Sequence, residues 1–512
     1  MVAAATTFDD DCTVVFRIFT PSIPGKVVRF FISSLLCCFL AQPLSSANAV
    51  ESLGLLQTID LALTQSDTAY DLRDNLLFSK MDINSAEHRF DTRLVPLTNF
   101  GIRQGTGSQQ IGLEMRKETG IGSSIAYGMV GNRIDDNAGY VVENSTNAKA
   151  YVRVSQGLFR RWGAKYNLSD LTVAQLREKE EEIKTERARQ TLILAAVKKY
   201  YDLALAEQLL AKVEKAVTRN REHLNSAVSR QSVGLVSKVD VYRAELAVLD
   251  AESARESQLR QKQRGEDAFR EMVRIADDHA MQMPEAIDKM VPVIPESWEE
   301  DLFLTRLDWQ AYRVSVEINE AETFKAKQNL APDVGLSFVL EQRGEGNSSE
   351  DALSLDETNW AVQLEMMSTF DRFNEESVLL RKKVEKAKLS RGKEALQRKI
   401  TREAKEAFQD LLAEERNHQI NIKRLEQARM ALDLAKTRYE QGLSDNLAVL
   451  DAESAYSEAE VNISRSMTAY NIAATTLAYN LGVLDRQWVA MSLDGTDGSE
   501  SPEPQRMNDD TR

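Results

Sequence analysis

Arg230-Gln-Ser-Val-Gly-Leu-Val-Ser-Lys-Val-Asp-Val-Tyr-Arg-Ala-Glu245 is a stretch that this chain contains twice, in two versions. The second version is Arg438-Tyr-Glu-Gln-Gly-Leu-Ser-Asp-Asn-Leu-Ala-Val-Leu-Asp-Ala-Glu453, which aligns with the first without a gap at an offset of 208 residues. In both versions a Gly-Leu pair interrupts a helix-forming sequence, and glycine readily adopts the backbone conformation that reverses a chain after a helix. The stretch therefore predicts the tip of a helical hairpin, and its recurrence predicts a duplicated unit.

The repeat extends well beyond the two tips. At the same offset, aromatic, acidic and leucine positions upstream of the first tip align with those of the second: Tyr200, Asp202 and Leu203 with Phe408, Asp410 and Leu411. Each half reads as a helix, strands, a long helix, a tip and a returning helix. We expect the first repeat to span residues 50–282, with strands within 94–158, and the second to span 283–491, with strands within 333–368.

A seven-residue spacing of mostly apolar side chains predicts the two long helices, at about 169–230 and 374–440. The stripe in the first helix is Ala196, Leu203, Leu210, Val217 and Leu224, and the stripe in the second is Ala404, Leu411, His418, Leu425 and Leu432. Single shorter helices are expected at about 52–89 and 297–329. The returning helices are expected at about 237–275 and, in the second half, up to about Gly482.

Strand candidates interrupt this helical pattern in both halves. Segments around 100–102, 110–115, 124–130, 150–154, 334–340 and 360–366 alternate apolar residues with small or polar ones. A sheet with an apolar face can enter lipid only as a closed barrel, because only closure satisfies its backbone hydrogen bonds. The strands of one chain, which we expect to number about four, are too few to close such a barrel, so several chains must contribute.

The composition excludes some classes of protein. Acidic residues outnumber basic ones by 79 to 64, for a net charge of −15, which argues against a nucleic-acid partner. The sequence contains no nucleophile motif, phosphate-binding loop or metal motif, so we expect neither enzyme activity nor a cofactor. His418 stands alone in its stripe and is interpreted as a packed side chain rather than a metal ligand.

The N-terminus reads as a secretory signal. Basic residues, an apolar run from Phe30 to Ala41 and the segment Ala47-Asn-Ala49 occur in the order that such signals show. We expect residues 1–49 to be removed, with translation starting further in than Met1. Cys12, Cys37 and Cys38 all lie in this segment, so the mature chain is expected to lack disulfides. Residues 492–512 are expected to form a disordered acidic tail.

With these features the chain resembles the TolC-like outer-membrane efflux proteins, which serve tripartite efflux and type I secretion systems. The resemblance covers nearly all of the mature sequence. It depends on the order of several short sequence motifs. These are the helix from Leu53 to Leu63, Leu94-Val-Pro-Leu, Gly157-Leu-Phe, the two tips, Arg306-Leu-Asp, Leu330-Ala-Pro-Asp, Ser368-Thr-Phe, Asp451-Ala-Glu-Ser and Leu477-Ala-Tyr-Asn-Leu-Gly482.

The resemblance implies a mainly helical fold with an inserted β part. Long coiled-coil hairpins would form an α-barrel tunnel through the periplasm, and the strands would contribute to a shared trimeric outer-membrane β-barrel of twelve strands. It also implies a homotrimer in the outer membrane of a Gram-negative bacterium. Its partners would be a periplasmic adaptor protein and an inner-membrane ABC or proton-driven transporter, and its cargo drugs, metals or polypeptides.

The resemblance also assigns roles to tip residues. It makes Gly234, Leu235, Val236, Gly442 and Leu443 candidates for docking the adaptor. The turn alone is enough to explain the presence of the two glycines.

The entrance gate is the second role that the resemblance implies. Asp240, Tyr439, Asp451 and Ser444 are its candidates, with a hydrogen bond between Tyr439 and Asp240. Ala448 and Ser444 depart from the pattern, since related channels carry an aspartate and an arginine at these positions. The alternative interpretation of each aspartate is that it lies on a solvated helix face and has no role in a gate.

Two other classes of protein remain open at this stage. A periplasmic adaptor also carries a long helical hairpin, and a secreted coiled-coil structural protein would explain the heptads and the acidity. Two hairpins instead of one, and strands in both halves, favour the channel over either of them.

Overall fold

The computed structural model describes residues 51–52, 54–103, 106–136, 145–275, 281–283, 287–346, 348–367 and 371–495. The expected signal peptide at 1–49 and most of the expected tail at 492–512 lie outside these ranges. So does the motif Ser368-Thr-Phe, one of those on which the resemblance depends.

The first half follows the predicted order of helix, strands, long helix, tip and returning helix. Its elements are β1 (Glu51–Ser52), α1 (Leu55–Gln65), α2 (Asp67–His88), β2 (Arg93–Arg103), β3 (Thr106–Glu118), β4 (Ser123–Asp136), β5 (Ser145–Phe159), α3 (Ala164–Asn167), α4 (Ser169–Ser232) and α5 (Lys238–Val273). At 64 residues, α4 is on the order of 100 Å long.

The second half repeats this order with fewer strands. Its elements are β6 (Met281–Gln282), α6 (Trp298–Thr305), α7 (Leu307–Gln328), β7 (Asp333–Gly346), α8 (Ser349–Ala352), β8 (Glu357–Met367), α9 (Phe373–Glu440), α10 (Asn446–Leu481) and α11 (Arg486–Asp494). Helix α11 was not predicted, and it continues past residue 491, where the tail was expected to begin.

Two helices predicted as continuous are each broken into two. Ser66 leaves the helical conformation between α1 and α2, and its Oγ accepts a hydrogen bond from the Ala69 amide at 3.2 Å. Arg306 separates α6 from α7 and is fully buried. Its guanidinium donates to the Asn480 carbonyl at 2.7 Å and to Glu403 at 2.8 Å, so the break is fixed by contacts with distant helices.

Most residues of the predicted coiled-coil stripes are buried, and Leu210, Leu224 and Leu425 are half-buried. Ala196, Leu203 and Val217 of α4 are inaccessible or nearly so, as are Ala404 and Leu411 of α9. His418 is also buried and shares a hydrogen bond of 3.0 Å with Ser466, as expected of a packed side chain. No helix in the described part of the chain is long and apolar enough to cross a lipid bilayer.

The larger sheet contains six strands in the order β2-β3-β4-β5-β7-β8, each antiparallel to its neighbours. The expectation of about four strands per chain is therefore wrong. The first half supplies four strands and the second half two, because the segments at 94–118 and 123–159 each form a complete hairpin.

The two faces of this sheet differ sharply in polarity. Because neighbouring strands are in register, alternate residues of all six strands share one face. One face is apolar and exposed in the single chain, and includes Leu94, Phe100, Ile111, Leu113, Tyr127, Met129, Val152, Val154, Leu336, Phe338, Trp360, Val362 and Leu364. The other face carries Glu114, Arg116, Tyr151, Arg153, Glu341 and Gln363.

Candidate functional site

The two tips have the same backbone. Gly234 and Gly442 adopt positive φ angles of 79° and 74°, which side chains other than glycine rarely adopt. The Leu235 amide donates to the Arg230 carbonyl at 2.9 Å, and the Leu443 amide donates to the Arg438 carbonyl at 2.8 Å. These bonds satisfy carbonyl groups at the helix ends, so each Gly-Leu pair closes one helix and starts the reversal.

The helix that follows each tip begins differently. In the first tip, Ser237 and Asp240 form a reciprocal capping box: Ser237 Oγ accepts from the Asp240 amide at 3.2 Å, and Asp240 accepts from the Ser237 amide at 3.0 Å. The hydrogen bond from the Ser237 hydroxyl, at 2.7 Å, is the main cause that lowers the pKa of Asp240. In the second tip, Asp445 caps the Ala448 amide at 3.2 Å, and Ala448 itself has no carboxylate to return.

The hydrogen bond predicted between Tyr439 and Asp240 is not formed. Tyr439 is only 4% exposed, and within the described part of the chain its hydroxyl has no hydrogen-bond partner. Its ring instead packs under the Arg230 guanidinium at 4.6 Å, measured to the ring centroid. Burial raises the pKa of Tyr439; Arg230 opposes this rise and the charge of Asp240 adds to it. Asp240 is therefore near Tyr439, although its carboxylate is used by Ser237.

Other side chains join the two tips. Arg230 donates to the Tyr439 carbonyl at 2.8 Å. His223 Nε2 donates to the side-chain oxygen of Asn446, and Asn446 Nδ2 donates to the Asp240 carbonyl at 2.8 Å. These bonds connect α4, α5, α9 and α10 at one level of the hairpins. Burial lowers the pKa of His223, and the hydrogen bond to Asn446 opposes this shift.

A charged network continues the connection along the seam between α4 and α10. Arg219 pairs with Glu453, and it also bonds Glu460 at 3.1 Å and Ser457 at 3.1 Å. Lys436 of α9 approaches Glu453 to 3.7 Å, so this buried carboxylate has two cationic neighbours. Asn446, Glu453 and Glu460 follow one another at seven-residue intervals, which keeps the network on one side of α10.

The sequence analysis missed Arg219, His223, Arg230 and Asn446. A signal for three of the joining residues was nevertheless present, because they depart from the repeat. At the offset of 208 residues, His223 corresponds to Ala431, Asn446 to Lys238 and Tyr439 to Gln231.

The predicted docking residues lie at the outer turns of the hairpins. Leu235 is 68% exposed and Leu443 is 74% exposed, so both present apolar side chains to solvent in the single chain. Val236 and Ser444 are half-buried, and Asp451 is exposed. The structure therefore places the candidate docking residues and Ser444 at the two tips, which hydrogen bonds join, and it leaves the Asp451 side chain exposed in the single chain.

A second polar cluster lies on the polar face of the sheet and was also not predicted. Glu114 is buried, accepts a hydrogen bond from the Tyr151 hydroxyl and pairs with Arg116 at 2.6 Å. Lys149 and Arg153 lie over the Tyr151 ring at 5.7 and 5.4 Å from its centroid. A buried carboxylate with charged neighbours, as Glu114 has here, is compatible with water and ions beside this face, and not with hydrocarbon.

Comparisons with known proteins agree with this architecture. Residues 300–483 match the family model described as outer membrane efflux protein. No curated protein sequence matches the chain.

Solved structures share the fold over 84% of this chain at low sequence identity. The outer membrane protein VceC of Vibrio cholerae is 15% identical, with a TM-score of 0.66 over 84% of this chain and 96% of that one. The outer membrane channel MtrE of Neisseria gonorrhoeae, solved in its open state, is 16% identical, with a TM-score of 0.66 over 84% and 90% of the two chains. A membrane protein from Pseudomonas aeruginosa is 19% identical, with a TM-score of 0.66 over 84% and 91%.

Proposed function

We propose that this chain, whose residues 300–483 belong to the outer membrane efflux protein family, is one subunit of a homotrimeric channel-tunnel in the outer membrane. The channel would be the exit duct for an inner-membrane transporter, ABC-type or proton-driven, that reaches it through a periplasmic adaptor. Its cargo would be a drug or, in type I secretion, a polypeptide.

The observation that carries this proposal is the sheet with one continuous apolar face at the end of two long helical hairpins. Leu113, Val152, Phe338 and Val362 belong to strands that come from both repeats, yet all four lie on the same face. A row of exposed apolar residues on every strand, opposite charged residues on the other face, is the pattern of a sheet between lipid and a water-filled lumen. Neither an adaptor nor a coiled-coil structural protein requires such a sheet.

The tips support the second part of the proposal. Since α4 runs from the sheet to the tip over about 100 Å, the tips lie far from the apolar face. An assembly with the sheet in the outer membrane would place the tips deep in the periplasm. Leu235 and Leu443, together with Gly234, Val236 and Gly442, would there contact the adaptor through exposed apolar side chains.

The gate residues take different roles in this proposal. Asp451 is exposed, and three-fold symmetry would make it a ring of three carboxylates that concentrates cations at the entrance. Asp240 would act mainly by capping α5. Tyr439 would hold the tips together through its ring and its carbonyl, and half-buried Ser444 would lie beside the opening.

Fractionation of the envelope of expressing cells on a sucrose gradient, followed by mild cross-linking of the peak fraction, tests the proposal. We expect the protein in the outer-membrane fraction, with cross-linked bands that end at three copies. A soluble periplasmic monomer would overturn the proposal and favour the adaptor or the coiled-coil protein. A variant with Val152, Phe338 and Val362 changed to serine is the control. It should be lost from the outer-membrane fraction, because its apolar face is interrupted.

A further inference from the structure

The sheet has two edges that other strands of the chain do not use. Among the described residues, β2 pairs only with β3, and β8 pairs only with β7. Both edge strands contain 11 residues. β2 leads away from α2, whereas β8 leads back towards α9, so the two edges run in opposite directions relative to the helices.

The hairpin formed by β2 and β3 is an integral part of this sheet. β3 is paired with β4 along its whole length, from Thr106 to Glu118. The apolar residues of the hairpin, among them Leu94, Phe100, Ile111 and Leu113, lie on the same face as those of the other four strands and are equally exposed. A hairpin folded over the outside of a sheet would not need to continue its register and its polarity in this way.

An open edge is incompatible with lipid, because each unpaired backbone group in hydrocarbon is costly. A second copy of the chain fits both edges at once, since β8 of one copy and β2 of the next are equal in length and antiparallel. That pairing continues the antiparallel alternation around the whole ring.

We propose that β2 of each copy pairs with β8 of the next, so that the channel closes with six strands from every subunit. The inference rests on the proposed function for the number of copies, which is three. The resulting barrel has eighteen strands, not the twelve that the resemblance implies. With strands spaced about 4.8 Å apart and tilted by about 40°, the radius of the backbone rises from roughly 12 to roughly 18 Å. Barrels of this strand number enclose a water-filled channel, so the exit is wide and the cargo is selected elsewhere.

Disulfide mapping in the full-length protein tests which strands meet. The sequence has no cysteine after Cys38, so introduced pairs can be read without background from the rest of the chain. We would combine Thr98→Cys, at the middle of β2 on the apolar face, with a single cysteine placed in turn at 358, 360, 362, 364 or 366 of β8. Stepping by two keeps the β8 cysteine on the same face whatever the register between subunits.

A matched series replaces Thr98→Cys with Tyr127→Cys on β4. Tyr127 lies on the same face, and β4 would be the edge if β2 and β3 stood outside a twelve-stranded barrel. We expect oxidation of outer membranes to give a ladder that ends at three copies in at least one member of the Thr98 series. The Tyr127 series and all single-cysteine variants should stay monomeric on denaturing gels.

The outcomes separate this inference from the proposed function. Trimers that cross-link only through Tyr127, or through neither series, would overturn the eighteen-stranded barrel and leave the channel intact. A Thr98 ladder that ends at two copies would overturn it as well, since two subunits close with twelve strands. Absence of the unmodified protein from the outer membrane would overturn the proposed function itself.

Discussion

The two tips share a backbone but are stabilised by different side chains. The first tip carries its own capping box, in which Ser237 and Asp240 satisfy each other's amides. The second tip lacks the returning carboxylate because Ala448 occupies the position of Asp240. It is instead tied to the first tip through Tyr439 and Asn446. The two tips thus share the turn, while residues that differ between them join the two hairpins.

The largest expected effect comes from the buried carboxylate of the second copy. Glu453→Ala would leave Arg219 and Lys436 without their shared partner in the seam between α4 and α10. Breaking a buried ion pair from one side typically costs about 3–5 kcal/mol. We expect hydrogen exchange of the tip-proximal peptides to show a loss of local stability of about 3 kcal/mol.

The repeat offers a matched control for this variant. Glu245 is the counterpart of Glu453 and is exposed. Glu245→Ala should change the same exchange rates little, and equal effects of the two variants would contradict the asymmetry between the hairpins.

Asn446→Ala should have the next largest effect. It removes the acceptor of His223 and the donor to the Asp240 carbonyl, both in a fully buried position. Loss of such bonds costs about 1–3 kcal/mol when the remaining partners stay buried. The rates of hydrogen exchange at the starts of α5 and α10 should rise together. Lys238→Ala, at the corresponding position of the first copy, should leave it unchanged; a rise confined to α10 would mean that Asn446 does not join the tips.

Exchanging the capping residues between the tips should change the stability of the two following helices, α5 and α10, in opposite directions. Asp240→Ala gives the first tip the residue of the second and should destabilise α5, since an acidic residue in the first turn contributes roughly 0.5 kcal/mol. Ala448→Asp should stabilise the start of α10 by a similar amount. Melting of isolated hairpin peptides, followed by circular dichroism, would measure both changes, and shifts of the same sign would contradict the capping account.

The smallest expected effect is a dependence on pH. Burial lowers the pKa of His223 in the folded protein below its ordinary value of about 6.5. The stability that neutral His223 contributes is therefore complete above that ordinary value and decreases as the pH falls towards the lowered pKa. Exchange at the tips, corrected for its intrinsic pH dependence, should increase between pH 7.5 and pH 5. His223→Gln should remove most of this increase, and a variant with an unaltered pH profile would exclude the histidine as its cause.

The parts of the fold that the sequence predicted are those fixed by local or repeated signals. The tips depend on Gly234 and Gly442, whose effect is confined to one turn, and the long helices depend on stripes that recur every seven residues. The position of the strands was also predicted, because alternation of polarity is visible in each segment. The number of strands expected was too low, although each of the six alternating segments in the sequence lies in one of the six strands of the sheet.

The errors arose where the structure depends on distant contacts. Arg306 ends α6 because its guanidinium reaches Asn480 and Glu403, which lie far away in the sequence. Tyr439 does not bond the Asp240 carboxylate, which accepts from Ser237, and Arg230 of another helix lies over the Tyr439 ring. Neither contact leaves a pattern within the local sequence, and no periodicity could have predicted it.

Electron microscopy of the protein extracted from outer membranes tests the central claim most directly, which is that several copies form one channel with the sheet at one end and the tips at the other. We expect a particle with three-fold symmetry, a closed strand region to which every subunit contributes β2, β3, β4, β5, β7 and β8, and six hairpin tips around an opening. A monomeric particle, or an assembly in which the apolar face of the sheet is covered by protein, would contradict it.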